Sequence, residues 1–356
     1  MIVSVVGARP QFVKAAVVSK GLERVGLSER LVHTGQHYDD RMSDVFWREL
    51  GLPPVTLNLA VGSGTHAQQT ARMMEGLEAY LLELQSTQRV DAVLLYGDTN
   101  STLAGSVVAA KLNIPIIHVE AGLRSFNRTM PEEVNRVVTD HLSTILFCSS
   151  PSAVRQLESE GIRRNVHDVG DVMYDAVLTY STAAEDAVSL GEVIPMPSMG
   201  YNLLTLHRPH NTDDDNRLRR ILGAVADTGE PVVWPVHPRL RKRLDRFDLP
   251  LNLHPMGSFS YLQMLLVLKN ARKVFTDSGG LQKEAYWLGK TCITLREETE
   301  WTETLHHGWN SLVGDDPEKI RRAFAANPSP ETWKPLYGDG KAADRIAAII
   351  KAGIPG

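Results

Sequence analysis

Ile116-Ile117-His118-Val119-Glu120-Ala121-Gly122-Leu123-Arg124, continuing through Met130-Pro131-Glu132-Glu133, decides how this chain folds. A β-branched apolar run ends on an acid, a glycine-bearing turn supplies an arginine, and Pro-Glu-Glu opens a helix. Continuous apolar runs of this length are what strands buried on both faces of a parallel sheet look like. In an open α/β sheet the residues just past a strand's carboxyl end line the ligand crevice. Glu120 would hang there, and Glu132 would approach from the start of the next helix. Two carboxylates near one substrate are the usual equipment for moving protons.

The same grammar repeats outward. Residues 2–6 form a short buried-strand pattern, then Gly7-Ala8-Arg9-Pro10 turns into an amphipathic helix over about 11–25. Arg9 and Lys14 sit where a phosphate or carboxylate could be met, although Lys14 also reads as a residue of a solvated helix face. A second strand (30–33), a polar loop (34–40), helices over about 42–50 and 65–85, and a third strand (91–96) follow. That last strand ends in Gly97-Asp98-Thr99-Asn100, whose small polar residues open another helix. Asp98 lies level with Glu120, a helix N-cap being its lesser, structural reading. Thr129 and Glu132 have capping-box spacing, and Arg136 can pair with Glu132 or Glu133 on one helix face. A strand over 144–148 and a helix over about 152–160 complete this half. The lack of a G-x-G-x-x-G turn weighs against a dinucleotide cofactor.

A stretch rich in Pro, Met and Gly (194–200) precedes a second α/β half. Its strand 201–206 ends in His207-Arg208-Pro209, its strand 231–236 is followed by His237, and a short strand covers 251–254. Lys273-Val274-Phe275-Thr276-Asp277-Ser278-Gly279-Gly280 is the most informative part: a strand delivers Ser278, Gly279 and Gly280 to a helix N-terminus, where bare amides can approach phosphate oxygens. Glu284, one turn on, is placed to accept from ribose hydroxyls. Gly289-Lys290-Thr291 imitates the end of a P-loop, but Glu284 stands where that motif needs glycine, so an ATPase is rejected. Residues 296–303 look too acidic for core. The alternation demands parallel sheets: two Rossmann-like doubly wound domains, dividing at about residue 170, facing one another across a cleft.

At 356 residues there is room for two cores of ordinary size, and 38 basic against 42 acidic side chains, net −4, imply no general attraction to nucleic acid or membrane. No apolar run approaches the ~18 residues of a spanning helix. Cys148 and Cys292 each lie in a strand-like run and read as reduced, buried thiols. No metal-ligand spacing occurs.

Taken together, Gly7-Ala8-Arg9-Pro10-Gln11, Gly97-Asp98-Thr99, His118 to Arg124, Pro131-Glu132-Glu133 with Asn135-Arg136, Thr276 to Gly280 and Gly338-Asp339-Gly340 resemble the non-hydrolysing UDP-N-acetylglucosamine 2-epimerases over essentially the whole chain. The resemblance implies a GT-B-like fold, a cytoplasmic homodimer, no redox cofactor and a last helix packed on the N-terminal domain, which would then comprise residues 1–170 with a returning 341–356, the other domain being 171–340. It implies catalytic roles for Asp98, Glu120, Glu132 and His207, with Arg9, Lys14 and Arg136 beside them and Ser278, Gly279, Gly280 and Glu284 on UDP, with His237 also assigned to the substrate side. The reaction it implies is C2 epimerisation of UDP-N-acetylglucosamine to UDP-N-acetylmannosamine, through loss and return of UDP, for cell-surface polysaccharide precursors. Gln36-His37 match a stretch that binds a second substrate molecule in many bacterial members, whereas Tyr38-Asp39 differ from it. Residues 34–46 and 296–301 look more like the branch acting on UDP-2,3-diacetamido-2,3-dideoxy-glucuronic acid, which is the alternative substrate; a GT-B glycosyltransferase is the rival activity. Which carboxyl group serves which sugar face is left open.

Overall fold

Two all-parallel sheets carry the chain, as seen in a computed structural model that describes residues 1–36, 47–194 and 200–355. The first belongs to a unit of Met1–Leu178 with Tyr337–Gly356, the second to a unit of Thr179–Leu336. Both are interleaved with helices, so the fold is α/β.

In the first unit the strands are β1 (Ile2–Val6), β2 (Glu29–His33), β3 (Val55–Asn58), β4 (Ala92–Tyr96), β5 (Ile116–Ala121), β6 (Ile145–Cys148) and β7 (Val166–Asp168). Their order in space is β3-β2-β1-β4-β5-β6-β7. The direction of winding therefore reverses between β1 and β4, where Val5 pairs with Leu95. Such a reversal opens a crevice beyond the carboxyl ends, because the loops leave towards opposite faces. The central strands β1, β4 and β6 are apolar and buried throughout, apart from Ser4 as a buried polar member. Helix His66–Thr87 starts with a capping box, Thr65 accepting from the Gln68 N–H and Gln68 accepting from the Thr65 N–H. It lays Met73, Leu77, Leu81 and Leu84 against β1 and β4 at helical spacing.

The last helix, Ala342–Ala352, lies in this unit and packs on helix Arg9–Arg24. Gly21 is required at that crossing, because a Cβ there would come within 2.9 Å of the Ala343 carbonyl oxygen. Asp175, from helix Val172–Ala187, accepts from the Ala342 N–H (3.1 Å) and the Ala343 N–H (2.7 Å) and so caps it.

The second unit holds β8 (Asn202–Thr205), β9 (Val232–Pro235), β10 (Leu253–Met256), β11 (Lys273–Thr276), β12 (Thr291–Thr294) and β13 (Asn310–Leu312), in the order β10-β9-β8-β11-β12-β13. Its reversal point lies between β8 and β11, where Thr205 and Thr276 share a hydroxyl bond of 2.6 Å. Trp234, Phe275 and Ile293 anchor one core layer there.

Some expectations shift. The strand expected at 251–254 is Leu253–Met256, since Leu251 is fully exposed on a turn closed by Leu253 N–H to Pro250 O. Strands β3, β7 and β13 were not anticipated. Of the helix expected over 42–50, residues 47–50 are helical and 42–46 lie outside the described residues, as do His37, Tyr38, Asp39 and residues 195–199. Residues 296–303 are not wholly solvated: Arg296 and Trp301 are buried beneath an acidic exterior. Both cysteines are free, and burial pushes each thiol up to about 12. Among the described residues no helix is long and apolar enough to cross a membrane.

Candidate active site

In the first unit the turns after β1, β4 and β5 converge. Gly7 follows β1, and a Cβ on it would meet Ser101 Oγ at 2.1 Å and Thr34 Oγ1 at 2.2 Å, so only glycine lets these turns approach. Gln11 stitches two of them together: its carbonyl accepts from the Gly7 N–H (2.8 Å) and the Ala8 N–H (3.0 Å), and its amide donates to Tyr96 O (2.7 Å) and Thr102 Oγ1 (3.0 Å). Arg9 opens the following helix and is half-buried.

Glu120 sits on an irregularity where β5 slips against β6, with φ +72°. A positive φ at a non-glycine residue costs free energy, and such strain concentrates at functional sites. Its carboxylate forms an ion pair with Lys14, whose side chain is only 9% exposed, so Lys14 is no residue of a solvated face. Gly97 (φ +61°) lies against this pair, its would-be Cβ 3.3 Å from Lys14 Nζ and 3.4 Å from Glu120 Oε2. Asp98, next along, pairs with Arg136. It is not a helix cap: Thr99 occupies that position. Asn135 donates to the Asp98 carbonyl (2.9 Å), and Arg136 also reaches Glu133 at 3.3 Å.

The two glutamates of helix Pro131–Leu142 have opposite fates. Glu133 is buried and accepts from the Ser125 N–H (2.9 Å), the Ser125 hydroxyl (3.0 Å) and the Phe126 N–H (2.9 Å). Glu132 is exposed. The capping box expected of Thr129 and Glu132 does not form, because Met130 is the N-cap and Thr129 instead donates to Asn127 (2.6 Å).

In the second unit the turns after β8 and β11 meet at Asp277. Its fully buried carboxylate accepts from the His207 N–H (3.1 Å), the Arg208 N–H (3.0 Å) and the Asn211 amide (3.1 Å), and lies 2.8 Å from His207 Nδ1. Burial alone would push this carboxyl group up; the His207 imidazole and these donors outweigh it and hold it below the usual range. Ser278 caps helix Gly279–Trp287. Gly279 has Trp301, Glu300 and Arg296 atoms 3.6–3.8 Å from a would-be Cβ, while nothing lies within 4 Å of one on Gly280. Only the Cβ position of Gly280 is open; a helix N-terminus of this kind carries a partial positive charge suited to phosphate. Glu284 is buried one turn on, and Lys283 lies over the Trp301 ring at 3.6 Å. Arg296 donates twice to Glu300, 3.1 Å each, which holds its carboxyl group low against the upward push of burial. His237 is exposed and lines one pocket with His207, Thr212 and Arg243.

The predicted residues thus fall into the Lys14–Glu120 and Asp98–Arg136 pairs, with Arg9 at the start of the helix that carries Lys14, and a His207, His237, Ser278, Gly279, Gly280 and Glu284 set, while the exposed Glu132 is not drawn into either. Gln11, Glu133 and Asp277 were not singled out. The position of Asp277, directly before Ser-Gly-Gly, was the available signal for it.

A family profile described as UDP-N-acetylglucosamine 2-epimerase matches residues 20–351. The chain belongs to the UDP-N-acetylglucosamine 2-epimerase family. It is 45% identical to a "UDP-N-acetylglucosamine 2-epimerase homolog" of Methanococcus maripaludis, over 98% of this chain and 99% of that one. It is 44% identical, with the same coverage, to the UDP-2,3-diacetamido-2,3-dideoxy-D-glucuronate 2-epimerase of Pseudomonas aeruginosa. It superposes with TM-score 0.89 on the Methanocaldococcus jannaschii UDP-GlcNAc 2-epimerase in complex with UDP-GlcNAc and UDP, 39% identical and covering 99% of this chain and 100% of that one. In this family member, a GT-B-like α/β protein, the described residues include no group of three or more His, Cys, Asp or Glu placed to hold a metal.

Proposed function

We propose that this chain reversibly epimerises UDP-N-acetylglucosamine to UDP-N-acetylmannosamine at C2. The observation that supports this most is the Glu120 carboxylate, set on a strained strand end against Lys14 and the Gly97 turn. A carboxylate removes the C2 proton as the C1–oxygen bond breaks, the electron pair leaves with UDP, and a C1–C2 double bond remains in a glycal. Return of UDP to C1 and delivery of a proton to the other face of C2 complete the exchange. Glu120, Glu132 and Asp98 form the acid/base set, with Lys14 paired to Glu120 and Arg136 to Asp98. Arg9 and His207 support the diphosphate, His237 adds a polar contact to the substrate, and the Ser278, Gly279 and Gly280 amides with Glu284 hold UDP. Fixed donors aimed at the departing diphosphate lower the barrier because its charge develops as the bond breaks. The proposal includes a homodimer in the cytoplasm, making precursors of cell-surface polysaccharide without a redox cofactor.

A second reading keeps the chemistry and changes the sugar to UDP-2,3-diacetamido-2,3-dideoxy-glucuronic acid. The 44% identity to the Pseudomonas aeruginosa enzyme of that name favours it. Each UDP-sugar incubated in deuterated buffer and followed by NMR tests both. Deuterium at C2 with two nucleotide-linked epimers from one substrate identifies it; no C2 exchange with either substrate overturns the proposal.

A further inference from the structure

Beneath the Glu120 turn lies a fully buried pair that the proposed chemistry does not use. His118, two residues before Glu120 on β5, places Nδ1 2.7 Å from Asp140 Oδ1 and Nε2 2.8 Å from the Gly97 carbonyl oxygen, and both side chains are 0% exposed. The other Asp140 oxygen accepts from the Gly122 N–H (3.1 Å) and from Arg124 Nη1 (2.7 Å). Arg124 continues to Glu160 through two further bonds of 2.7 Å.

A carbonyl oxygen can only accept, so Nε2 must carry a proton. A carboxylate can only accept, so an ionised Asp140 requires a proton on Nδ1 as well. The guanidinium and the N–H on its second oxygen favour that ionised form. We propose that His118 is held as a doubly protonated imidazolium between Asp140 and Gly97, and that the pair is a positioning device fixing the Glu120 turn relative to the Gly97-Asp98 turn.

Charge balance accords with the first half only when the half-buried Glu160 is counted: Asp140 and Glu160 then match Arg124 and an imidazolium one for one. Geometry supports the second half. One carboxylate grips the turn two residues past Glu120 directly, and grips the Gly97 turn through a rigid ring. The Gly122 turn is also closely packed: Gly122 has φ +81°, and a Cβ there would lie 2.5 Å from the Ala153 carbonyl oxygen.

The positioning half rests on the proposed epimerisation; the protonation half does not, and the experiment separates them. In the first arm, histidine-selective ¹⁵N NMR of the intact protein at pH 8 should show a ring with both nitrogens protonated. It is assigned by its loss in His118→Gln or, should that variant not fold, by the slow solvent exchange of a buried ring. A neutral His118 overturns the charge assignment. In the second arm, Asp140→Asn and His118→Gln should lower kcat, counted per UDP-binding site by calorimetry, about 10–100-fold with KM within about threefold. C2 deuterium wash-in should slow in parallel. A merely structural role would reduce the number of binding sites and leave kcat per site at the wild-type value, which would overturn the positioning role. If the unmodified protein turned over no UDP-sugar, the epimerase reading would fail, while the NMR arm would still decide the state of His118.

Discussion

The turn after β5 and the turn after β11 both leave the carboxyl ends of strands in parallel sheets of the same kind, β11 at the point where winding reverses and β5 one strand beyond it. They are built from opposite materials. At the first, charged side chains confront one another across a strained backbone: Glu120 at φ +72° against Lys14, and Asp98 against Arg136. At the second, the one charged group at the turn is inside: Asp277 is buried, and the surface offered is the backbone of Ser278, Gly279 and Gly280. Reactive side chains need partners that hold them ready, while an anion anchor needs only fixed dipoles and room. On this contrast, changes at the first turn should remove chemistry, and changes at the second should remove fold or affinity.

The largest effect should come from Glu120→Gln. The amide keeps the shape but cannot take a proton, so kcat should fall by about 10³-fold while UDP still binds. Steady-state assays with calorimetric UDP titration check this. A fall of less than tenfold would take the first turn out of the chemistry.

Asp277→Ala breaks the comparison from the other side. It leaves the N–H groups of His207 and Arg208 and the Asn211 amide facing a buried void. Loss of an acceptor that several donors share should cost about 3 kcal/mol in urea unfolding at pH 7. Because the folded carboxyl group is held below its unfolded value, that stabilisation is complete above the unfolded value of about 4 and fades as pH falls through the folded one. The gap between wild type and variant should therefore close in acid.

Asp175 has the reverse sign. It too accepts two backbone N–H bonds, but burial, with Asp171 and Asp344 as acidic neighbours, pushes its carboxyl group up to about 6. The folded protein then holds a proton that the unfolded chain has lost, so this contribution is present below about pH 4 and lost as pH rises through about 6. Relative to Asp175→Asn, the wild type should lose roughly 2 kcal/mol between pH 4 and 7. A difference growing in the other direction would mean that the helix amides outweigh burial.

The same contrast explains what could be read from the sequence. The central strands declared themselves as apolar runs, because both faces are covered. The edge strands did not: β3, β7 and β13 were missed and β10 was misplaced by two residues, and all four close the ends of the two sheets. An edge strand buries less and so carries little hydrophobic signal. At the site, residues at or just past the end of a strand stood out by position, including Asp98, Glu120, His207 and Ser278. Pairings were not. His207 meets Asp277 across 70 residues, and Lys14 was divided between ligand contact and solvated face until its burial against Glu120 was seen. Glu132 and Glu133 are adjacent in sequence, and only the helix orientation sends Glu133 inward to hold the 125–126 turn.

The smallest change tests the second turn most cleanly. A Cβ on Gly280 meets nothing within 4 Å, and the residue does not have a positive φ. Gly280→Ala should therefore leave the fold intact, and at a helical position should even stabilise it by up to about 1 kcal/mol. If the space above the helix N-terminus is where diphosphate oxygens approach the amides, the added methyl group intrudes on the ligand. UDP affinity should then drop about tenfold, equivalent to about 1.4 kcal/mol, with an unchanged or raised melting temperature. Calorimetry paired with thermal unfolding reads both quantities on one sample. Unaltered UDP affinity would place the diphosphate away from this turn, and would leave Asp277 as the anchor of a loop with another purpose.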